Sequence, residues 1–371
     1  MILTIVLNDI CYSGILDEWK YTGKEQNIFE ELDSFINKNK GETIICFISY
    51  DLKNHIEKLN SNNPDKIDFP TIHCLVPKKQ KPLDPYLSKE NLQIDSIQFQ
   101  TEMDKPSYLN QINKIKTHIQ RGDFYEANFC YEWWASPTSF DPIRTFNKLN
   151  KLTAAPYAVY ADLKEHIIIS ASPELFLKKR GDKLYSSPIK GTQKRVHNTI
   201  ADNKLKKDLE ESEKDITENT MIVDLVRNDL SKIAKSNSVK VEELCKVYTF
   251  KNIHQMISTI SCRVDPEINF SKILTGTFPM GSMTGAPKIR VMKLMEEYEK
   301  TKRGLYSGTI GVIQPNGDFD FNVIIRTLLY NKQKNILSFH VGGAITDNSN
   351  AELEYEETLI KADALFKACQ S

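Results

Sequence analysis

YAVYADLKEHIIISASPELFLKKRGDKLYSSPIKGT, residues 157–192, decides the fold class. Apolar runs at 157–163, 166–170, 174–179 and 184–189 each suit one strand, and only a few turn residues separate them, Ser172-Pro173 among them. Parallel neighbours need a crossover of about a dozen residues or more, so these strands are expected to run antiparallel. The last run leads into Pro188-Ile189-Lys190-Gly191-Thr192. Pro188 fixes its own φ, and Gly191 permits backbone angles that other residues avoid, so the stretch reads as a shaped turn presenting one amine. Glu174 starts one strand and Lys190 ends the following one, positions that a hairpin can place side by side.

Upstream, Tyr108, Ile112, Ile115 and Ile119 recur at helical spacing and Gly122 stops the helix. Residues 124–134 read as a strand, and Asp141-Pro142 as an N-cap with proline at the first helical position. Residues 1–100 alternate short apolar runs (2–7, 43–48, 72–76) with polar stretches, and Lys78 to Pro85 reads as an exposed connection.

Downstream, residues 200–234 are helical in composition, with Glu210 and Lys214 an i,i+4 pair on a solvated face. Residues 239–248 and 254–264 return to strand pattern. Gly281 to Pro287 form a small-residue loop before a helix reaching about residue 302. Residues 308–313, 319–330 and 336–341 form a meander, Gly342-Gly343 a turn, and 351–368 a closing helix. Many antiparallel strands with inserted helices give an α+β fold rather than a doubly wound parallel one.

The 371 residues suffice for a large core in one or two domains. Lys plus Arg equals Asp plus Glu at 49 each, so no basic excess points to nucleic acid. The opening MILTIVLNDI lacks a basic n-region and reads as a strand rather than a signal peptide, and no apolar run spans a bilayer. Seven scattered cysteines with no C-x-x-C argue against a disulfide framework or a zinc site, and fit a reducing cytoplasmic compartment.

Two acidic pairs stand out. Asp215 and Glu218, and Glu354 and Glu357, are each three apart on a helix and so share a face. If the two faces meet, each like-charge pair at ~5 Å and an effective dielectric of ~20 costs about 3 kcal/mol, so the cluster needs a cation. All-oxygen ligands favour Mg²⁺. The loop from Gly281 to Pro287 ends at a helix N-terminus and suits an anion. Arg326 is a charge in an apolar strand and needs an anion, either an internal carboxylate or a substrate. Tyr306 and Lys361 can add a phenol and an ammonium to the same carboxylate site. His254, inside a strand, is a core histidine or a proton donor.

The chain from about residue 104 to its end resembles the chorismate-utilising enzymes. The resemblance is carried by SASPELFL (170–177), PIKGT (188–192), ENTMIVDLVRNDL (218–230), HQMIS (254–258), FPMGSMTGAPKIRVM (278–292), RGLYSGTIG (303–311), FNVIIRT (321–327), GGAITD (342–347) and AELEYEETLIKA (351–362). It implies an α+β fold of two packed antiparallel β-sheets flanked by helices, like anthranilate synthase component I. The catalytic region would be 104–371, sharing one globular unit with a reduced N-terminal portion, 1–100.

Lysine at position 190, where anthranilate and isochorismate synthases of the family carry alanine, makes the resemblance closest to aminodeoxychorismate (para-aminobenzoate) synthase component I. That implies that Lys190 attacks C2 of chorismate, that Glu174 is the acid/base for the departing C4 hydroxyl, and that His254 lies near that hydroxyl. Ammonia then enters at C4 and expels the lysine, giving 4-amino-4-deoxychorismate for para-aminobenzoate and folate biosynthesis. Arg326 and Tyr306 would grip the enolpyruvyl carboxylate, with Thr284, Gly285, Gly343, Lys361 and Thr192 at substrate-binding positions. Mg²⁺ would be held by Asp215, Glu218, Glu354 and Glu357, with Glu218 and Glu357 in direct contact. No cysteine sits in a glutaminase-type nucleophile elbow, so ammonia would come from a separate glutaminase subunit. The chain departs from the family at Met280, at Ala344 and in its shorter N-terminal portion. The competing readings are anthranilate synthase and a non-catalytic homologue that binds chorismate or a glutaminase.

Overall fold

The computed structural model describes residues 4–7, 9–21, 23, 27–83, 96–196, 198–251 and 253–370. The first hundred supply β1 (Thr4–Leu7), β2 (Ile10–Tyr21), α1 (Ile28–Lys38), β3 (Ile44–Ile48), the single turn α2 (Lys53–Ile56), β4 (Ile72–Pro82) and the two-residue β5 (Gln100–Thr101). Next comes α3 (Lys105–Gln120), whose N-cap Asp104 accepts from Ser107 N, then β6 (Glu126–Ala135). The Asp141 side chain caps α4 (Pro142–Thr153) in the same way. The deciding stretch forms β7 (Tyr157–Asp162), β8 (His166–Ser172), β9 (Leu175–Arg180), β10 (Lys183–Ser187) and β11 (Ile189–Lys194). After it run α5 (Thr199–Glu210), α6 (Glu213–Ser231), β12 (Lys240–Thr249), β13 (Ile253–Arg263), α7 (Phe270–Thr277), β14 (Gly285–Ala286) and α8 (Lys288–Tyr298). The chain closes with β15 (Thr309–Ile313), β16 (Phe319–Asn322), β17 (Thr327–Asn331), β18 (Ile336–Ile345) and α9 (Ala351–Ala368).

The fold is α+β, and every pairing among the described strands is antiparallel. The described strands join edge to edge in one hydrogen-bonded ribbon. At one end β13 takes β12 on one edge and β10 and β11 on the other. The ribbon continues through β9, β16, β15, β3, β4, β2, β1, β7, β8, β17 and β18. It ends at β6, which carries β5 and β14. The N-terminal strands β1 to β4 therefore sit in its middle, between β15 and β7.

The apolar faces pack as three main clusters. One lies between α6, α7 and the β9–β16 region, a second between β6, β18, α3 and α9, and a third under β1, β3 and β8. α6 buries Ile222, Val223, Val226 and Leu230. At about 1.5–3 kcal/mol for each fully buried side chain, that packing holds α6 in place although it also carries Glu218 into a buried position. No helix among the described residues is long and apolar enough to cross a membrane.

The strand-rich pattern holds, and five local expectations change. Residues 319–330 are two strands, because β16 pairs with β9 and β15 while β17 pairs with β8 and β18; the break at 323–326 contains Arg326, at φ 52°. Lys190 does not end a strand in a turn but is the second residue of β11, where the register with β13 shifts and Gly191 takes φ 86°. Gly342 and Gly343 form no turn; they lie inside β18, opposite Cys130 and Phe129. A Cβ at Gly342 would stand 2.3 Å from Phe129 O, so the close strand approach explains the glycine. β4 continues through Lys78 to Pro82, paired with β2, Leu83 follows it, and residues 84 and 85 of that predicted connection lie outside the described residues. Glu210 pairs with Lys206 instead of Lys214, because the helix breaks between α5 and α6.

Glu132 on β6 is the register partner of His340 on β18. It is buried, its Oε2 accepts no hydrogen bond, and Lys66 stands 3.8 Å away. Burial raises its carboxyl to about 7, from an ordinary 4.5. The folded state thus binds this proton more tightly than the unfolded chain, so stability at this site is lost as pH rises from about 4.5 through 7. Glu132→Gln, neutral throughout, is expected to be more stable than the parent at pH 8, with the gap closing by about pH 4.5. Urea denaturation at both pH values checks this, and a gap independent of pH contradicts it.

Candidate active site

The two ends of the ribbon meet at Lys190. Its Nζ donates to Glu126 Oε1 at 2.8 Å, joining β11 to the first residue of β6. Both side chains are almost wholly withdrawn from solvent, and Glu126 Oε2 is buried with no hydrogen-bond partner. Burial alone pushes the Lys190 ammonium down. Glu126, Glu218 and Glu174 outweigh it and hold its pKa above the ordinary lysine value.

Glu174 lies between β8 and β9, buried, with its backbone fixed by Ser172 Oγ and Val323 N. Burial raises its carboxyl to about 7, against the Ser282 hydroxyl, Lys190, the Ile189 N–H and Arg326, all of which favour the ionised form. Arg326 is mostly buried and has no carboxylate within ion-pair distance among the described residues. Burial pushes its pKa down, and Glu174 is the neighbour that counters this. A guanidinium so placed is a ready anion site. Tyr306 is reached through the backbone: Ser307 N donates to Ile324 O at 2.8 Å, tying its segment to the one that ends in Arg326. The Tyr306 ring stacks on His340, and its hydroxyl lies 3.8 Å from Cys130 Sγ.

The loop before α8 is pinned to β6. Gly285 and Ala286 form β14 opposite Ala127 and Glu126, and Asn128 N donates to Thr284 O at 2.7 Å. Thr284 is buried, its hydroxyl directed to Met280 O and Gly281 O. Arg303 completes the clamp, donating to Met283 O at 2.7 Å and Asn128 O at 2.8 Å while paired with Glu299 at 2.6 Å. This clamp holds the loop carrying Ser282 and Thr284 against β6.

The acidic helices do converge. Lys214 on α6 stands 3.8 Å from Glu218 and 3.5 Å from Glu354 of α9. Burial raises Glu218 to about 7, its Oε1 accepts no hydrogen bond, and Lys190 and Lys214 oppose the shift. Glu354 accepts from Ser349 Oγ. Asp215 accepts from Ser212 Oγ and lies against Gly191, where a Cβ would stand 3.0 Å from its carboxyl. Burial pushes the Glu357 carboxyl up, but Lys361 at 2.7 Å, with Lys214 and Lys190, leaves it below the ordinary value. Lys361 also donates to Gly342 O, and a Cβ at Gly343 would lie 3.6 Å from both Glu354 Oε2 and Lys361 Nζ.

Among the described residues no three His, Cys, Asp or Glu side chains form a ready metal-binding group. The donors still suit Mg²⁺, which needs only one or two carboxylates and keeps several waters. Glu218 offers a buried unpartnered oxygen, and the Lys214 ammonium between Glu218 and Glu354 marks a position where positive charge is stabilised.

Two sequence candidates stand apart. His254 Nε2 is 3.2 Å from Asp202 and Nδ1 is 3.0 Å from Thr249, neither a member of the cluster. Strand alternation puts His254 on the face of β13 shared with Met256 and Ser258, which pack on Leu209 and Asn219 of α5 and α6. Thr192 is exposed on β11. Three members of the cluster were missed: Glu126, Ser282 and Lys214. The available signal for Glu126 was an acidic residue opening an otherwise buried strand, the same reasoning that singled out Arg326.

The chain matches the chorismate binding enzyme family over residues 8–367. It is 35% identical over 268 residues to "Aminodeoxychorismate synthase component 1" of Salmonella typhimurium, covering 72% of this chain and 58% of that protein. It is 33% identical over 285 residues to "Anthranilate synthase component 1 1" of Haloarcula marismortui, covering 77% and 58%. The chain thus spans under two thirds of the length of these relatives. The crystal structure of anthranilate synthase component I from Streptococcus pneumoniae superposes with a TM-score of 0.84 at 23% identity, over 98% of this chain and 92% of that one. The menaquinone-specific isochorismate synthase of Escherichia coli gives 0.78 at 14% identity, over 100% and 88%, so the fold is shared across several reaction types.

The clamp yields a test. Gly285 sits at φ 149°, and a Cβ there would meet Glu126 O at 2.1 Å. Gly285→Ala is expected to unpair β14 and cost about 2–4 kcal/mol in urea denaturation. Gly317→Ala, at φ 82° with nothing within 4 Å, is expected to cost only about 1 kcal/mol. Equal losses in the two variants would refute the close approach as the cause.

Proposed function

Because the chain belongs to the family of chorismate binding enzymes, we propose that it aminates chorismate at C4, acting as an aminodeoxychorismate synthase component I. The observation that carries this reading is the buried Lys190 amine hydrogen-bonded to Glu126 and in the field of Glu174, with the Arg326 guanidinium, which makes no ion pair among the described residues, coupled to the same Glu174.

In this mechanism Arg326 and the loop from Gly281 to Pro287 take substrate carboxylates, with Tyr306 and Lys361 nearby. Lys190 attacks C2, the ring double bond shifts, and the C4–O bond breaks. Glu174, raised by burial into the neutral range, gives its proton to the departing hydroxyl, which leaves as water. Ammonia adds at C4, the double bond shifts back, and Lys190 leaves with the C2–N electron pair. The Glu174 carboxylate recovers a proton from the new C4 ammonium. The sum is chorismate plus ammonia giving 4-amino-4-deoxychorismate plus water. Mg²⁺, held at Glu218, Glu354 and Glu357 with Asp215 on the same face, would supply divalent charge for a substrate carboxylate. Ammonia is assigned to a separate glutaminase subunit, in keeping with relatives named as component 1. His254 is kept in the proposal only as a group behind β11, where it braces α5 through Asp202.

The protein incubated with chorismate, Mg²⁺ and ammonium is expected to release 4-amino-4-deoxychorismate, identified by NMR. Anthranilate with pyruvate, or isochorismate alone, would overturn the assignment. Lys190→Ala is expected to lower C4 amination by at least about 100-fold; unchanged turnover would remove Lys190 from the mechanism. The pH dependence has a definite sign. Glu174 acts as an acid, so the first half-reaction, followed without ammonia, should slow as pH rises above about 7. A rate that climbs steadily from pH 6 to 9 contradicts that role.

A further inference from the structure

A lysine nucleophile must be neutral when it attacks, yet Lys190 stands in the field of Glu126 on β6, Glu218 on α6, Glu174 before β9 and Glu357 on α9, with Asp215 against the adjoining Gly191. Those charges favour the ammonium, and losing its proton to bulk water at pH 7 costs an ordinary lysine about 3.4 pH units. The proton therefore needs a local acceptor. Glu174, lifted by burial to about 7, is committed to the leaving hydroxyl. Glu218 makes no ion pair with Lys190 within 4 Å and faces Lys214.

Glu126 differs from both. Its Oε1 already accepts the Lys190 proton in a 2.8 Å hydrogen bond, while Oε2 is buried and unpartnered. A purely structural ion pair this deep would be expected to satisfy both oxygens. The backbone of Glu126 is held from two sides, by β14 pairing at Ala286 and by the Arg303 clamp on Asn128 O. This carboxylate is a fixed feature, and the sequence motifs did not single it out.

We propose that Glu126 is the positioning base of Lys190: it takes the ammonium proton as the C2–N bond forms and returns it when the amine is expelled. The inference rests on the nucleophilic reading of Lys190 given above. Lys190 NH₃⁺ and the Glu126 carboxylate become NH₂ and a carboxylic acid, and the nitrogen lone pair makes the bond to C2. When ammonia displaces it, Lys190 leaves as a neutral amine, and the proton on Glu126 restores the starting pair. One proton is thus conserved within the site over the cycle, independently of the one Glu174 handles.

The test compares Glu126→Gln and Glu126→Asp with the parent, using two readouts. With chorismate, Mg²⁺ and ammonium, Glu126→Gln is expected to lose about 100-fold or more in kcat at pH 7 with KM within about threefold. Its log kcat relative to the parent's at the same pH should rise at a slope of one between about pH 7 and 9, because its amine must ionise to solvent while both proteins share the need for protonated Glu174. Glu126→Asp, which keeps a carboxylate, is expected to recover about tenfold of that loss and the parent's pH profile. In the ligand-free proteins, acetylation of Lys190 with acetic anhydride, followed by peptide mass spectrometry, should show its pH midpoint falling by about one unit in Glu126→Gln.

The inference is overturned if Glu126→Gln keeps kcat within threefold, if its pH profile matches the parent's, or if the labelling midpoint does not move. If Glu126→Gln does not fold, Glu126→Asp decides: a loss as large as that of Lys190→Ala, with an unmoved midpoint, refutes the role. A parent protein that makes no amination product would refute the reading of Lys190 separately, leaving the labelling shift to decide whether Glu126 sets its protonation.

Discussion

The ion pair between Lys190 and Glu126 closes the molecule on itself. The antiparallel ribbon starts at β11 to β13 and ends at β6 with β14, and these two ends touch through one buried hydrogen bond. Removing one partner of such a pair leaves an uncompensated buried charge, a loss of about 3–5 kcal/mol. The surroundings are arranged to keep the pair in place. β14 lies on β6 at so short a distance that only glycine fits at 285, and Arg303 bolts the preceding loop to the same strand. The same closure brings the Lys190 amine near Glu174, whose other neighbours are Ser282 and Arg326.

Charge in this region is balanced rather than neutralised pair by pair. Glu174 and Glu218 are both lifted to about 7 by burial, so each can exist in either protonation state near neutrality. Lys190 and Lys214 are both held above the ordinary lysine value by the carboxylates around them. Arg326 is the exception, a positive group that makes no ion pair among the described residues and whose charge Glu174 favours. Its isolation favours an incoming carboxylate, and the surplus of acid near Lys214 favours an incoming cation. A substrate with carboxylates, accompanied by Mg²⁺, would satisfy both demands together.

Much of this was legible in the residues. The short-linked strands of 157–192 settle antiparallel pairing, and the cap at Asp141 and the closing helix appear where local chemistry puts them. The i,i+3 acidic pairs lie on α6 and α9, which Lys214 links through Glu218 and Glu354. What pattern reading could not supply is contact at long range. Glu126 is 64 residues from Lys190, and nothing local to either position names the other. Arg326 looks like a strand interior by composition; only the divergence of β16 and β17 to different neighbours breaks the strand there. Gly342 and Gly343 read as a turn because glycine usually marks one, whereas here they let β18 approach β6 closely. His254 sits in a suitable motif, yet side-chain alternation turns it toward α5.

The central claim is that Lys190 becomes covalently attached to the substrate ring. Chorismate and Mg²⁺ added without ammonia, followed by acid quench, digestion and peptide mass spectrometry, test it directly. The peptide containing Lys190 is predicted to carry the mass of chorismate less one water. An unmodified Lys190 peptide, in protein that goes on to aminate C4 once ammonium is supplied, would contradict the account.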